Sequence, residues 1–460
     1  MGEEITYWGF FSSERLLRMK QIEEFLTGRM WLRNFTPFPK DQIDKAISDG
    51  SVSISPGILD GRQCARCLEK STKKIIPFFC AACHTICYYC RQCIKMGRIS
   101  SCTELITWAL PSTISPQSHT FHWNGSLTPL QERASQEVQK SLLQKNDHLI
   151  YAVCGAGKTE LLFPPIFDAL KKGLRVCIAA PRTDVVLELT PRVRAVFPNT
   201  IVHSLYGDSP EEWGFAQLVI ATTHQLYRFI DAFDIVIVDE ADAFPYSYDP
   251  ALKRAVMKAK KKEAPIVYVS ATPSDELVKQ VSSTSRIFQR FHGHPLPVPE
   301  FRSLWSYEKD FAKGKIPTKL AAWVDGKIEK DEPFLVFFPT VELIEQAIVL
   351  FQKRHPTIEA VHSKDQDRKE KVMKLRQKKI PGVLTSTILE RGITIPNVQV
   401  AVVGADQPIF DAAALIQISG RTGRAIDYPE GEVIFFHNGI VRQMDKAKKR
   451  IISYNREVIK

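Results

Sequence analysis

A chain of 460 residues, 44% of them hydrophobic, has material for about three domains with buried cores, which excludes a largely disordered protein. Its 62 Lys and Arg against 51 Asp and Glu leave a formal charge of +11, a balance that favours a polyanionic partner such as nucleic acid. There is no apolar run of about 18 residues and no basic-then-apolar leader, so we expect a cytoplasmic protein rather than a secreted or membrane-spanning one.

Residues 1–60 mix a charged, helix-like stretch (SSERLLRMKQIEEFLTGR) with a tail punctuated by Pro and Gly (FTPFPK, SISPGILDG), and they read as an adaptor. Residues 61–110 hold Cys64, Cys67, Cys80, Cys83, Cys87, Cys90, Cys93 and Cys102, while Cys154 and Cys177 stand apart. In a reducing compartment this crowding of CxxC pairs predicts a four-thiolate, structural zinc site rather than a disulfide framework. The spacing leaves open whether Cys64 and Cys67 close the site with Cys80 and Cys83 or with Cys90 and Cys93. With thiolates in surplus, His84 reads as a surface residue. Arg66, Arg91, Lys95 and Arg98 are candidates for phosphate contacts.

A linker, ALPSTISPQSHTFHWNGS, leads into a different pattern. Short apolar runs (HLIYAV, RVCIAAP, QLVIAT, FDIVIVDE, PIVYVSAT, then FLVFFP, GVLTST, VQVAVVGA and EVIFFH) alternate with helix-like stretches. Such alternation predicts an α/β fold: two tandem RecA-like parallel-sheet domains, at 111–297 and 298–460, preceded by the small cysteine-rich module.

The strand HLIYAV runs into Ala152, Val153, Cys154, Gly155, Ala156, Gly157, Lys158 and Thr159 and then a helix, the context of a phosphate-binding loop, although Ala152 stands where the strict pattern has Gly. Glycines let backbone N–H groups close on phosphates, Lys158 adds a charge at the β and γ groups, and Thr159 offers a hydroxyl to Mg2+. About 80 residues on, Asp239 and Glu240 end the apolar strand FDIVIV. A buried carboxylate pair is costly without a metal or partner, so Asp239 is expected to hold magnesium and Glu240 to activate water.

Asp239, Glu240, Ala241 and Asp242 spell the box of DEAD-type helicases, and residues 121–440 resemble superfamily 2 ATPases. In the expected order stand LTPLQ with Gln131, APRTD with Arg182, ATTHQL with Thr222, SAT with Ser270 and Thr272, FFPT near Thr340, TSTILERGITIP with Thr385 and Gly392, and QISGRTGR with Gln417, Arg421 and Arg424. The resemblance implies Gln131 on the adenine of ATP, Arg421 and Arg424 on the γ-phosphate, and Gly392 at the nucleotide. It further implies Arg182, Thr222, Asp242, Ser270, Thr272, Thr385 and Gln417 in nucleic-acid contact and coupling.

The order CARC, YYCRQCIKMGR and WNGSLTPLQ is similar to the ComFA family of late-competence ATPases, from about Cys64 to the C-terminus. That resemblance implies zinc on Cys64, Cys67, Cys90 and Cys93, and leaves Cys80, Cys83 and Cys87 as extras that could form part of a second site with Cys102. It implies hydrolysis stimulated by single-stranded DNA, a peripheral position at the inner face of the membrane near the ComEC channel, and ComFC and DprA as partners; an oligomer stays open. The alternatives are a DEAD-box RNA helicase, against which Thr394 stands where Asp is usual, a PriA-type restart helicase, whose cysteines interrupt the second helicase domain, and a zinc scaffold with an inactive ATPase.

Overall fold

Ile235–Val238 reads IVIV, and all four side chains are buried; Val176–Ala180 and Leu218–Thr222 are buried throughout as well. Strands without alternation need cover on both faces, which is the condition of a parallel sheet between helices. The structure, a computed structural model, describes residues 17–458 except 116, 208, 211, 392 and 393. Among these described residues, those within 17–126, 135–150 and 161–284 form one compact unit, and those within 127–134, 151–160 and 285–458 a second.

The larger sheet has seven strands in the order Val202–Leu205, Leu218–Thr222, Val176–Ala180, Ile235–Val238, Ile266–Ser270, His148–Ala152 and Ser283–Ile287. Its central pairs are parallel, with Val238 opposite both Ala179 and Tyr268, and Thr222 opposite Ala180. The other sheet has six strands in the order Glu300–Ser303, Val433–His437, Gln399–Val403, Phe334–Phe337, Gly382–Thr385 and Glu359–Val361, paired in parallel. Its core joins Trp323, Phe334, Phe338, Ile344, Phe351 and Phe436. Gly382 has no alternative there, because a Cβ would lie 2.1 Å from the Phe334 ring. These are the two RecA-like parallel sheets expected from the sequence, and each of the nine apolar runs forms a strand.

Several helices begin where the sequence supplies a side-chain cap. Asp249 accepts from the Ala251 N–H at the start of Pro250–Ala259, Thr340 from Leu343 before Val341–Arg354, and Asp411 from Ala414 before Ala412–Ser419. Each such cap contributes about 1 kcal/mol.

Residues on both sides of position 60 share one antiparallel sheet, with Glu104–Trp108 between Met30–Leu32 and Val52–Pro56. Phe25, Leu26, Trp31, Ile43 and Ile106 fill its core. Within the same unit Arg175, fully buried, donates to the carbonyls of Thr27 and Ala216. Among the described residues, no helix is long and apolar enough to cross a membrane.

Candidate nucleotide site and cysteine centres

Gly155 (φ +82°) and Gly157 (φ +69°) turn the loop that follows His148–Ala152. Position 157 favours glycine, because its φ is left-handed and a Cβ would come 2.1 Å from the Gln131 amide nitrogen and displace it. That amide is buried and donates to the Ala156 carbonyl at 2.8 Å, while its oxygen accepts from the Thr128 N–H at 2.8 Å, so Gln131 is fixed against the loop by both ends. Lys158 Nζ donates to the Ala152 and Val153 carbonyls at 3.2 Å each, which holds the ammonium within the turn of the loop. Ala152, where the strict pattern has Gly, is fully buried in its strand.

The same unit brings Gln417, Arg421 and Arg424 to this loop. Cys154 Sγ donates to Gln417 Oε1 at 2.9 Å, and a Cβ on Gly420 would lie 2.5 Å from that of Cys154. Arg421 Nε donates to the Glu390 carbonyl and Arg424 Nε to the Gly420 carbonyl, both at 2.8 Å. Burial raises the Cys154 thiol, but the charges of Lys158, Arg424, Arg421 and Arg391 outweigh it and hold the thiol below its ordinary value. Four cations converging on one glycine-turned loop are what a polyphosphate requires. Gly392 lies outside the described residues.

Sequence reasoning missed Arg290. Its side chain is 2% exposed and donates to the Thr422 carbonyl at 2.7 Å and to the Gly423 carbonyl. Its neighbour Phe291 donates its N–H to the Gly155 carbonyl at 2.9 Å. Burial, then the Arg424 charge, brings the guanidinium down to about 10, still charged at neutral pH. Arg290 thus ties the phosphate loop to the turn carrying Arg421 and Arg424, and a lone Arg between Phe288 and Phe291 was its one signal. Arg290→Ala is expected to destabilise this unit by about 3 kcal/mol, since charge-assisted bonds are worth about 1.5–3 kcal/mol each. Denaturant unfolding checks this; an unchanged midpoint would show that the two bonds contribute nothing.

In the other unit, the parallel register lines up the carboxyl ends of the central strands, where α/β proteins place their ligands. Thr222 ends one strand, Asp239 and Glu240 follow the next, and Ser270 ends a third; Arg182 precedes the helix Thr183–Val196. Glu240 adopts φ +51°, with its N–H on Asp239 Oδ1 at 2.9 Å. Asp242 accepts from both Ser270 Oγ and Thr272 Oγ1 at 2.7 Å, so the acidic box and the SAT segment are one hydrogen-bonded body. Thr385 is fully buried, its hydroxyl on the Val361 carbonyl at 2.9 Å, so it braces a strand end.

The cysteines form two separate quartets, each with its sulfurs within 4.8 Å of one another: Cys64, Cys67, Cys90 and Cys93, all buried, and Cys80, Cys83, Cys87 and Cys102. In the first, Cys64 and Cys93 are 3.7 Å apart and Cys67 and Cys90 3.5 Å. A tetrahedral tetrathiolate with Zn–S of about 2.3 Å has S···S edges of about 3.8 Å, whereas a disulfide needs about 2.05 Å. The first quartet therefore fits a metal ion, and the pairing left open by spacing is Cys64 and Cys67 with Cys90 and Cys93. His84 is exposed and outside both groups. Arg66 is a correction: it is buried and donates to the carbonyls of Cys93 (3.0 Å), Met96 (2.8 Å) and Gly97, so it supports this quartet rather than reaching for phosphate. Arg254, on the helix that follows the acidic box, pairs with Glu69 at 2.8 Å beside the Cys64–Cys67 turn.

Three family models match the chain: the competence protein ComFA N-terminal domain over residues 14–107, the DEAD/DEAH box helicase over 128–281 and the helicase conserved C-terminal domain over 316–426. The competence protein ComFA of Bacillus subtilis is 40% identical over 443 residues, 95% of each chain. That of Streptococcus pneumoniae is 36% identical over 412 residues, 86% of this chain and 94% of the other. Among solved structures, S. cerevisiae Dbp5 bound to RNA and ADP BeF3 is similar in fold, with TM-score 0.53 and 17% identity over 72% of this chain and 92% of that one.

Proposed function

Because this chain belongs to the ComFA family of competence proteins, we propose that it is an ATP-driven motor that grips single-stranded DNA and draws transforming DNA into the cell. It is an ATP-hydrolysing enzyme of the helicase type, and its helicase domains imply use of ATP and Mg2+ and binding of nucleic acid. The observation that carries the proposal is the packing of Gln417 and Gly420, at the head of the turn with Arg421 and Arg424, against Cys154 of the loop turned by Gly155 and Gly157 that bears Lys158.

In this account Lys158 holds the β- and γ-phosphates, and Gln131 recognises the adenine. Thr159 and Asp239 are the residues that would hold magnesium, which would neutralise charge on those phosphates. Glu240 takes the proton of the attacking water as its oxygen bonds to the γ-phosphorus and ADP leaves, and Arg421 and Arg424 stabilise the charge that builds on the transferring group. Arg182, Thr222 and Gln417 serve strand contact and coupling, with Thr385 supporting them from its buried position. Asp242, bound to Ser270 and Thr272, relays the nucleotide state to that contact. Cys64, Cys67, Cys90 and Cys93 would hold a zinc ion that would fix the N-terminal module. ComFC, DprA and the ComEC channel at the inner membrane face are the partners this role calls for.

Arg421→Ala and Arg424→Ala are each expected to lower turnover about 100-fold with little loss of ATP affinity, because such residues act on transition-state charge. The comparison of kcat with the equilibrium Kd for ATP checks this, and full turnover in either variant removes that residue from the role. The proposal itself is tested by ATPase rate with single-stranded DNA, duplex DNA and RNA side by side. Strongest stimulation by single-stranded DNA is expected; preference for RNA would replace it with the RNA-helicase alternative.

A further inference from the structure

We propose that Cys80, Cys83, Cys87 and Cys102 form a second tetrathiolate zinc site, separate from the first, that staples the tip of a hairpin to the turn beside it. The hairpin pairs Ile75–Cys80 with Thr85–Cys90, Cys80 opposite Thr85 and Phe78 opposite Cys87. Strand side chains alternate, so Cys80 and Cys87 share one face of the ribbon, while Cys90, three residues beyond Cys87, lies on the other. What reads in sequence as a Cys87-x2-Cys90 chelating pair is therefore divided: extended backbone sends Cys90 to the first quartet and Cys87 to the second. A bridge between Tyr89 and Ser100, with the Cys90 N–H on the Ile99 carbonyl and the Ser101 N–H on the Tyr88 carbonyl, lays residues 99–101 along the hairpin and brings Cys102 to Cys80 and Cys87.

Two further observations point to a metal. Cys80 and Cys102 sulfurs are 3.8 Å apart, the tetrathiolate edge of about 3.8 Å and well beyond a disulfide. The Cys80–Cys83 turn also repeats the backbone of the Cys64–Cys67 turn. In both, the residue after the second cysteine, His84 and Leu68, has a left-handed φ, +51° and +58°, that a non-glycine residue adopts at a cost of about 1–3 kcal/mol. The N–H groups of Ala82 and Cys83 point at Cys80 Sγ, as in a metal-binding knuckle. Four sulfur donors in a closed tetrahedron select a soft divalent ion, and zinc is the class they fit. Cys83 and Cys102 are exposed whereas the first quartet is wholly buried, so the second metal is the one a chelator reaches first.

The test is zinc content by elemental analysis of the full-length protein, with a Co2+ titration followed by thiolate charge-transfer absorbance. The wild type is expected to hold two zinc ions per chain and to saturate at two Co2+. C83S/C102S, which alters exposed side chains, is expected to keep one of each with its thermal unfolding still cooperative, and zinc release to a chelator should lose its fast phase. A wild type that holds one metal, kept in C83S/C102S and lost in C64S/C67S, overturns this site. One metal lost in C83S/C102S and kept in C64S/C67S would instead support it and remove the zinc assigned to the first quartet.

Discussion

Lys158→Ala is expected to lower ATP hydrolysis about 1000-fold, because it deletes a positive charge that acts where negative charge is transferred. The fold should survive. Nζ donates to the Ala152 and Val153 carbonyls, at about 1 kcal/mol each, and the loop is shaped by Gly155, Gly157 and Gln131 rather than by the ammonium. Steady-state hydrolysis with saturating single-stranded DNA measures the effect, and thermal unfolding reports the fold. A folded variant that turns over ATP near the wild-type rate would remove Lys158 from the phosphate site.

Glu240→Gln is expected to lower turnover by a similar factor, about 1000-fold, while ATP still binds, since an amide cannot accept the proton of the attacking water. The substitution suits the local backbone. The N–H of residue 240 bonds to Asp239 Oδ1 and its φ of +51° is set by the turn, and neither depends on the side-chain charge. The variant should accumulate as a stable complex with ATP and single-stranded DNA, detectable by filter binding. Parallel loss of ATP binding and turnover would assign Glu240 a structural role.

What the sequence could show follows from which interactions are local. The nine internal strands of the two parallel sheets announced themselves because a strand covered on both faces must be apolar at successive positions, as in Ile235–Val238. Edge strands carry no such demand: Val202–Leu205, Ser283–Ile287, Glu300–Ser303 and Glu359–Val361 lie at the ends of their sheets, read VHSL, STSRI, EFRS and EAV, and went unrecognised. The phosphate loop and the acidic box were legible because strand, turn and functional residue are contiguous. Arg290 was not, since its partners Thr422 and Gly423 are more than a hundred positions away and a buried arginine leaves no pattern. Cys87-x2-Cys90 has the spacing of a chelating turn, but the backbone there is extended, so its two cysteines belong to different quartets. Residues 1–60 read as an adaptor in the sequence because the pairing partner of the strands Met30–Leu32 and Val52–Pro56, Glu104–Trp108, lies beyond the whole cysteine segment.

The central claim is that hydrolysis moves this chain along a single strand of DNA. It is tested most directly by displacement of streptavidin from biotin placed at one end or the other of a single-stranded oligonucleotide. The account predicts ATP-dependent displacement from one end, abolished by both Lys158→Ala and Glu240→Gln. Brisk hydrolysis stimulated by single-stranded DNA with no displacement from either end would contradict it.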